Sequence, residues 1–248
     1  MFSPILSALA RVRIALGFGA VLAAVSTALV ILGPRVREDV IRHMSTNVHN
    51  LSHGRLGTLL GSAFVNDAGP VYVWLPWLVC LLALAELLWH GGRVAMVFFI
   101  GHIGATLLVA AGLVAAIKMR WLPISITHAS DVGMSYGAMA VLGALTAAIP
   151  ARWRPAWIGW WLAIGAAAVA VGDDFTDAGH TVALVLGMLI ATRLRKPVYW
   201  TPVRYALLAG SAGFGFLLLA HTGWASLAAA IAGPVGALTV GGIARLRV

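Results

Sequence analysis

The sequence predicts an all-α fold, a polytopic membrane helix bundle, and three observations carry that reading. Of 248 residues, 61% are hydrophobic and only 10% are charged, whereas an ordinary soluble domain carries about 25% charged residues. The apolar residues gather in eight runs, most of them near the length needed to cross a hydrocarbon core of roughly 30 Å. The basic residues are distributed unevenly between alternate connections, as the positive-inside rule requires.

The runs are 14–33, 71–89, 94–117, 132–149, 156–172, 178–192, 205–220 and 225–243. The first is longer than the apolar part of a cleaved signal, and no clear small-x-small site follows it, so it reads as a span. The segment 34–70 has Val40, Ile41, Met44, Val48 and Leu51 at helical spacing, with Arg42, His43, Asn47 and Asn50 on the other face. That pattern predicts an amphipathic stretch lying in the membrane interface. The sixth run is short, and the last two are rich in Gly and Ala. Arg193-Leu-Arg195-Lys196-Pro197 combines charge with a helix breaker. It divides the chain into a six-helix core, 1–195, and a two-helix extension, 196–248.

If the N-terminus is cytoplasmic, eleven Arg and Lys residues fall on the cytoplasmic side and six outside. Seven of the eight acids fall outside, and Glu86 alone lies at a cytoplasmic helix end. Both termini are therefore expected in the cytoplasm of a plasma-membrane protein. The net charge of +9 is an anchoring charge on one membrane face and requires no nucleic-acid partner. The single cysteine, Cys80, excludes an internal disulfide and a Cys-based metal site.

Ionisable residues are costly inside a membrane and point to function. Asp131-Val-Gly-Met-Ser135-Tyr-Gly137 opens the fourth run, and Asp173-Asp-Phe-Thr-Asp177-Ala-Gly-His180 opens the sixth. Both helices run from outside to inside. Ser135 lies four residues past Asp131, and His180 three past Asp177. At about 1.5 Å per residue, both sit some 5–6 Å below the acids, the depth match a Ser–His pair needs. Gly133, Gly137, Ala140, Gly143 and Ala144 on one helix face the prospect of close approach to Gly179, Ala183 and Gly187 on the other. The alternative is a capping serine and a histidine bonded to a carbonyl. His102 sits deeper, and its reading is a buried histidine bonded to a neighbour. His49 and His53, at i and i+4, are a possible metal pair. Asp131, Asp174 and Asp177 read as a solvated outer rim, with Asp177 alternatively biasing the charge of His180.

These residues resemble the rhomboid family of intramembrane serine proteases. Gly133-Met134-Ser135 is similar to the family's Gly-x-Ser nucleophile motif at the outer start of the fourth helix, and Gly143 matches a family glycine. Ala178-Gly179-His180 with Gly187 is similar to its sixth-helix motif, which supplies the base. Glu86-Leu-Leu-Trp-His-Gly-Gly-Arg93 is similar to the family's Glu-x-x-x-Gly turn, and the amphipathic segment has a counterpart too. The resemblance spans about residues 10–195. Ser45–Leu51, Gly101–Leu107 and Asp131–Tyr136 further resemble a divergent actinobacterial branch of rhomboid-like proteins. Four departures stand out. The second helix lacks the family's His-x-x-x-Asn pair, which helps hold the oxyanion. Tyr136 replaces a small residue after the serine. Met139 stands where an aromatic ring commonly packs on the histidine, and Ala183 where glycine is preferred.

The resemblance implies two functions. As an enzyme, Ser135 attacks a peptide carbonyl of a transmembrane substrate, with His180 as base and then acid and no cofactor. The Ser135 N–H would serve the oxyanion, with His49 or Asn50 as conceivable helpers if the interfacial segment folds over the site. As a non-catalytic protein, the bundle binds transmembrane segments of client proteins within the lipid bilayer. Weaker alternatives are a metal-dependent hydrolase using His102, Asp131 and His180, and a small-molecule transporter, for which no inverted repeat is visible.

Overall fold

The computed structural model describes residues 9–67, 69, 71–172, 174–194, 198–221 and 223–246, and every regular element among them is helical. The expected boundary at 195 and 196 lies outside the described residues, as does Asp173. The helices are α1 Arg13–Leu32, α2 Pro34–Met44, α3 Val48–Ser52, α4 Thr58–Gly61, α5 Val71–Trp89, α6 Gly91–Lys118, α7 Ser135–Ala144, α8 Arg154–Val171, α9 Phe175–Leu194, α10 Pro202–Leu219 and α11 Gly223–Arg245. Short 3-10 turns cover Ser62–Phe64, Ile124–His128 and Leu145–Ala147.

Seven helices (α1, α5, α6, α8, α9, α10 and α11) are long and apolar enough to cross a membrane, and the chain is a multi-pass membrane protein. Their outward faces are bare hydrocarbon: Ile31, Leu189, Ile231 and Leu238 are all exposed. Trp121 and Trp224 are exposed at one end of the bundle, and Trp153 and Tyr199 at the other. Rings with one apolar and one polar edge favour those two interfacial levels.

The fourth apolar run departs from its expected length. Helix begins at Ser135 and ends, with its 3-10 turn, at Ala147. Thirteen residues rise only about 20 Å, less than a hydrocarbon core. The helix need not match the bilayer, because every residue from 136 to 149 is buried by protein. Among the described residues, seven helices are thus long enough to span by themselves, and the fourth run forms a shorter central helix. Pro150 follows, and the freed carbonyls of Thr146 and Ile149 accept hydrogen bonds from the Arg154 guanidinium, both at 3.0 Å. The sixth run, conversely, is longer than expected. Thr176 and Asp177 join α9 because its polar first turn is packed against protein.

Small residues set the packing of α7. A Cβ on Gly101 of α6 would collide with Ala140. One on Gly143 would collide with the Leu184 carbonyl of α9, and one on Gly187 with the Ala140 carbonyl. The sequence spacing of these residues anticipates that approach, which leaves α7 between α6 and α9. In the last part of the chain, α10 packs on α5 and α11 packs along α8.

At the end opposite Ser135, Glu86 ties α5 to α1. Its buried carboxylate accepts the N–H groups of Ile14 and Ala15 at 3.0–3.1 Å. Those donors belong to the first turn of α1, which has no side-chain cap of its own and would otherwise lack acceptors. Gly91 must stay bare, since a Cβ there would meet Glu86 Oε1 at 2.8 Å.

Candidate functional site

At the other end, the segment between α1 and α5 folds over the head of α7. Gly33, at φ +89°, turns the chain out of the bundle, and Pro34 starts α2 at the position proline favours. Asn47 caps α3 by accepting from the Asn50 N–H at 2.9 Å. Asn50 is buried and donates to the Arg42 and Ser45 carbonyls at 3.0 and 2.8 Å. These bonds lock the turn that presents Ser45 and Thr46.

Ser45 and Thr46 grip the chain leading into α7. The Thr46 N–H and hydroxyl donate to the Asp131 carbonyl at 2.9 and 3.0 Å. The Asp131 N–H donates to Ser45 Oγ at 2.9 Å. Two residues on, the Gly133 N–H donates to the Ser62 carbonyl at 2.9 Å. Ser62 Oγ in turn hydrogen-bonds His102 Nε2 of α6 at 3.0 Å, and both side chains are buried. The three segments that resemble the divergent rhomboid-like branch thus meet in space. Their polar residues build the mount on which Ser135 sits. His102 is bonded to a neighbour, as its buried position suggests, and that neighbour is the interfacial segment. Ser62 carries no sequence signal of its own.

Gly133 lies at φ +128°, a conformation that L side chains rarely adopt. It turns the chain so that Ser135 becomes the first residue of α7. No side chain caps this helix, so its first-turn N–H groups remain available as donors. Ser135 and His180 line one cavity of about 360 Å³. Its other walls include Asn66, Trp74 of α5, Asp174, and Phe214 and Leu218 of α10. His180 is only 8% exposed, and neither ring nitrogen has a hydrogen-bond partner. The two side chains share the cavity without a bond between them. The Tyr136 ring packs edge-on against the imidazole, with centroids 5.3 Å apart and planes at 76°. The residue after the serine therefore supplies an aromatic contact to the histidine that the methionine at 139 cannot. Gly179 makes room for it, since a Cβ there would collide with that ring.

Other expectations are corrected. Asp177 is not part of a solvated rim. It is 1% exposed, and its Oδ1 faces His221 Nδ1 at 3.6 Å. Asp174 is exposed, and its carboxylate accepts the Thr176 N–H at 2.9 Å. Asp131 is half-buried, and its carboxyl is pushed up to about 6, mainly by desolvation; Asp174 adds to the shift and the Thr46 hydroxyl opposes it. His49 and Asn50 do not line the cavity; Asn66, from the same segment, does. The His49 ring stacks on His128 and packs at a tilt against His53, with centroids 4.4 and 4.3 Å away. Among the described residues no group of three His, Cys, Asp or Glu is placed to hold a metal ion, and His102, Asp131 and His180 do not form one.

No curated protein and no solved structure matches the chain significantly. The profile of one family, described as rhomboid-like protein, matches residues 11–197. That stretch takes in the interfacial segment, the Glu86 clamp, α7 and the whole of α9. The chain belongs to the rhomboid-like protein family.

Proposed function

We propose that this protein is an intramembrane serine endopeptidase in which Ser135 is the nucleophile and His180 the base. The observation that carries the reading is the shared cavity, where a nine-tenths-buried imidazole with two unpartnered nitrogens sits beside a serine at a helix start. A buried polar group without a partner costs on the order of 1–3 kcal/mol, and a catalytic role is one reason to keep it. Ser135 Oγ attacks the carbonyl carbon of a peptide bond as His180 takes its proton. The first-turn N–H groups of α7 and the Asn66 amide are the donors for the oxyanion. His180 then protonates the leaving amine, and water enters to hydrolyse the acyl-enzyme. Catalytic hydrogen bonds are often long in an empty site and tighten with substrate. Tyr136 and the packed face of α9 orient the imidazole in place of an acid.

The test is a fluorophosphonate probe in mild detergent. Wild-type protein should label, Ser135→Ala should not, and His180→Ala should label at a small fraction of the wild-type rate. Folded wild-type protein that fails to label removes the enzyme reading. The second reading, a non-catalytic protein that binds client transmembrane helices, is favoured by the missing Ser135–His180 bond and by the absence of a His-x-x-x-Asn pair from α5.

We further read residues 1–195 as the core and 196–248 as an extension. The face bearing Arg93, Arg152, Arg154 and Arg204 is read as cytoplasmic in a plasma membrane. Maleimide labelling of Arg152→Cys in Cys80→Ala protein should then require permeabilised cells. Labelling in intact cells reverses the orientation.

A further inference from the structure

The part of the chain beyond the matched family region bears on the cavity directly. The family match ends at 197, and α10 begins at 202. Yet Phe214, Leu217 and Leu218 of α10, with His221 just after it, form one wall of the Ser135–His180 cavity. α10 reaches this place by wedging between α5 and α8. A Cβ on Gly210 would lie 3.3 Å from Cys80 Cβ and 3.6 Å from Trp77 of α5. One on Gly215 would collide with Leu142 of α7 and lie 3.0 Å from Trp161 of α8. Ser211 and Phe214, on the same face, are buried.

The hold on α10 is concentrated at its ends. At one end the Arg204 guanidinium donates to the Leu87 carbonyl at 3.2 Å. At the other, His221 faces the buried Asp177 at 3.6 Å. In between, the Ser211 hydroxyl turns back to the Leu207 carbonyl at 2.7 Å, so the middle rests on packing of small and aromatic residues. Such contacts hold membrane helices together by close packing, without a hydrophobic driving force.

We propose that α10 occupies the berth of a client transmembrane helix and gates the cavity. The berth accepts a helix with Gly or Ser five positions apart and an aromatic residue between them, as in Gly210, Phe214 and Gly215. This rests on reading the cavity as the place where a client segment meets Ser135 and His180. His180, whose ring nitrogens have no hydrogen-bond partner, lines the same cavity that α10 walls.

The native Cys80 makes the gate lockable. A Cβ separation of 3.3 Å is just below the range of roughly 3.5–4.5 Å that disulfides adopt. Gly210→Cys should therefore cross-link to Cys80 with little helix movement. The probe is a synthetic transmembrane peptide of residues 198–221 carrying benzoylphenylalanine in place of Phe214, added to the full-length protein in nanodiscs. Photo-crosslinking should map to α5 and α7. It should fall at least about tenfold in oxidised Gly210→Cys protein and return on reduction, because a tethered competitor has an effective concentration in the millimolar range. Gly210→Cys with Cys80→Ala should show no redox effect. Gly215→Leu, which pushes α10 off Leu142 and Trp161, should raise crosslinking, and it decides the matter if the cysteine variant does not fold. Equal crosslinking in oxidised and reduced protein, crosslinks mapped elsewhere, or no increase in Gly215→Leu overturns the gate. Fluorophosphonate labelling of the reduced protein is read separately: its failure removes Ser135 chemistry and leaves the helix-exchange result intact.

Discussion

The serine–histidine pairs on either side of the Tyr136 ring are built on opposite principles. Ser62 and His102 are hydrogen-bonded at 3.0 Å, almost fully buried, and not among the residues that line the cavity. Ser135 and His180 are not bonded, and both line the cavity. The Tyr136 ring stands between the two imidazoles, 6.4 Å from His102 and 5.3 Å from His180 by centroids. In the bonded pair the serine hydroxyl and one ring nitrogen satisfy each other, and His102 Nδ1 is left without a partner but away from the cavity walls. An unbonded pair on a cavity costs stability unless something arrives to use it. In this fold the tidy hydrogen bond marks the mount, and the untidy pair marks the candidate site.

The comparison breaks most visibly in reactivity. His180→Ala should lower fluorophosphonate labelling about a hundredfold or more, the usual scale of a lost general base. His102→Ala should change labelling only in proportion to the folded fraction. If the two substitutions lower labelling per folded molecule equally, the distinction between mount and site collapses.

Stability should show the reverse order. His102→Ala deletes a packed ring and leaves the Ser62 hydroxyl buried without a partner, a loss of about 3 kcal/mol. Ser135→Ala removes a hydroxyl at the cavity edge, and should change stability by less than about 0.6 kcal/mol, the average for polar contacts in membranes. Thermal unfolding in detergent reads both. A destabilised Ser135→Ala protein would make Ser135 a structural residue.

The opposite end of the bundle extends the same rule. Glu86 is buried and fully engaged with the first turn of α1. Glu86→Ala strands those N–H groups, at a cost of about 2 kcal/mol for charged hydrogen bonds. Labelling per folded molecule should not change, because the clamp lies at the other end from the cavity.

What was legible in the sequence follows the range of each interaction. The spanning helices and the small residues that let α7 approach α9 are patterns within single segments. The length of α7 was hidden, because residues 132–134 and 148–149 are apolar and mostly buried, yet none of them is helical. The mount was hidden as well, since it joins Thr46 to Asp131 across 85 positions and Ser62 to His102 across 40. No periodicity encodes such pairings. Asp177 was misread because an acid at a helix start is ordinarily solvated, whereas here it is sealed beneath His221.

The smallest expected effect tests the mount through pH. Asp131 receives the Thr46 hydroxyl on its Oδ2 at 3.2 Å, and its carboxyl is held near 6 against an ordinary value of 3.8. A raised carboxyl binds its proton more tightly when folded than when unfolded. Its contribution is therefore full below pH 3.8 and lost as pH rises through 6. On this account the protein should be slightly more stable at pH 5 than at pH 7.5. His49 works in the other direction: desolvation, with His53 and His128 beside it, holds its imidazole below 6.5, and folding therefore loses stability as pH falls through that range. The two slopes oppose each other in wild-type protein, so the informative quantity is a difference. Subtracting the Tm-against-pH curve of Asp131→Asn from that of wild type removes the histidine contribution common to both. The difference should favour wild type increasingly as pH drops from 7.5 to 5. A flat difference would mean that the Asp131 carboxyl is solvated, and that the grip of Thr46 on the chain before Ser135 rests on the backbone carbonyl alone.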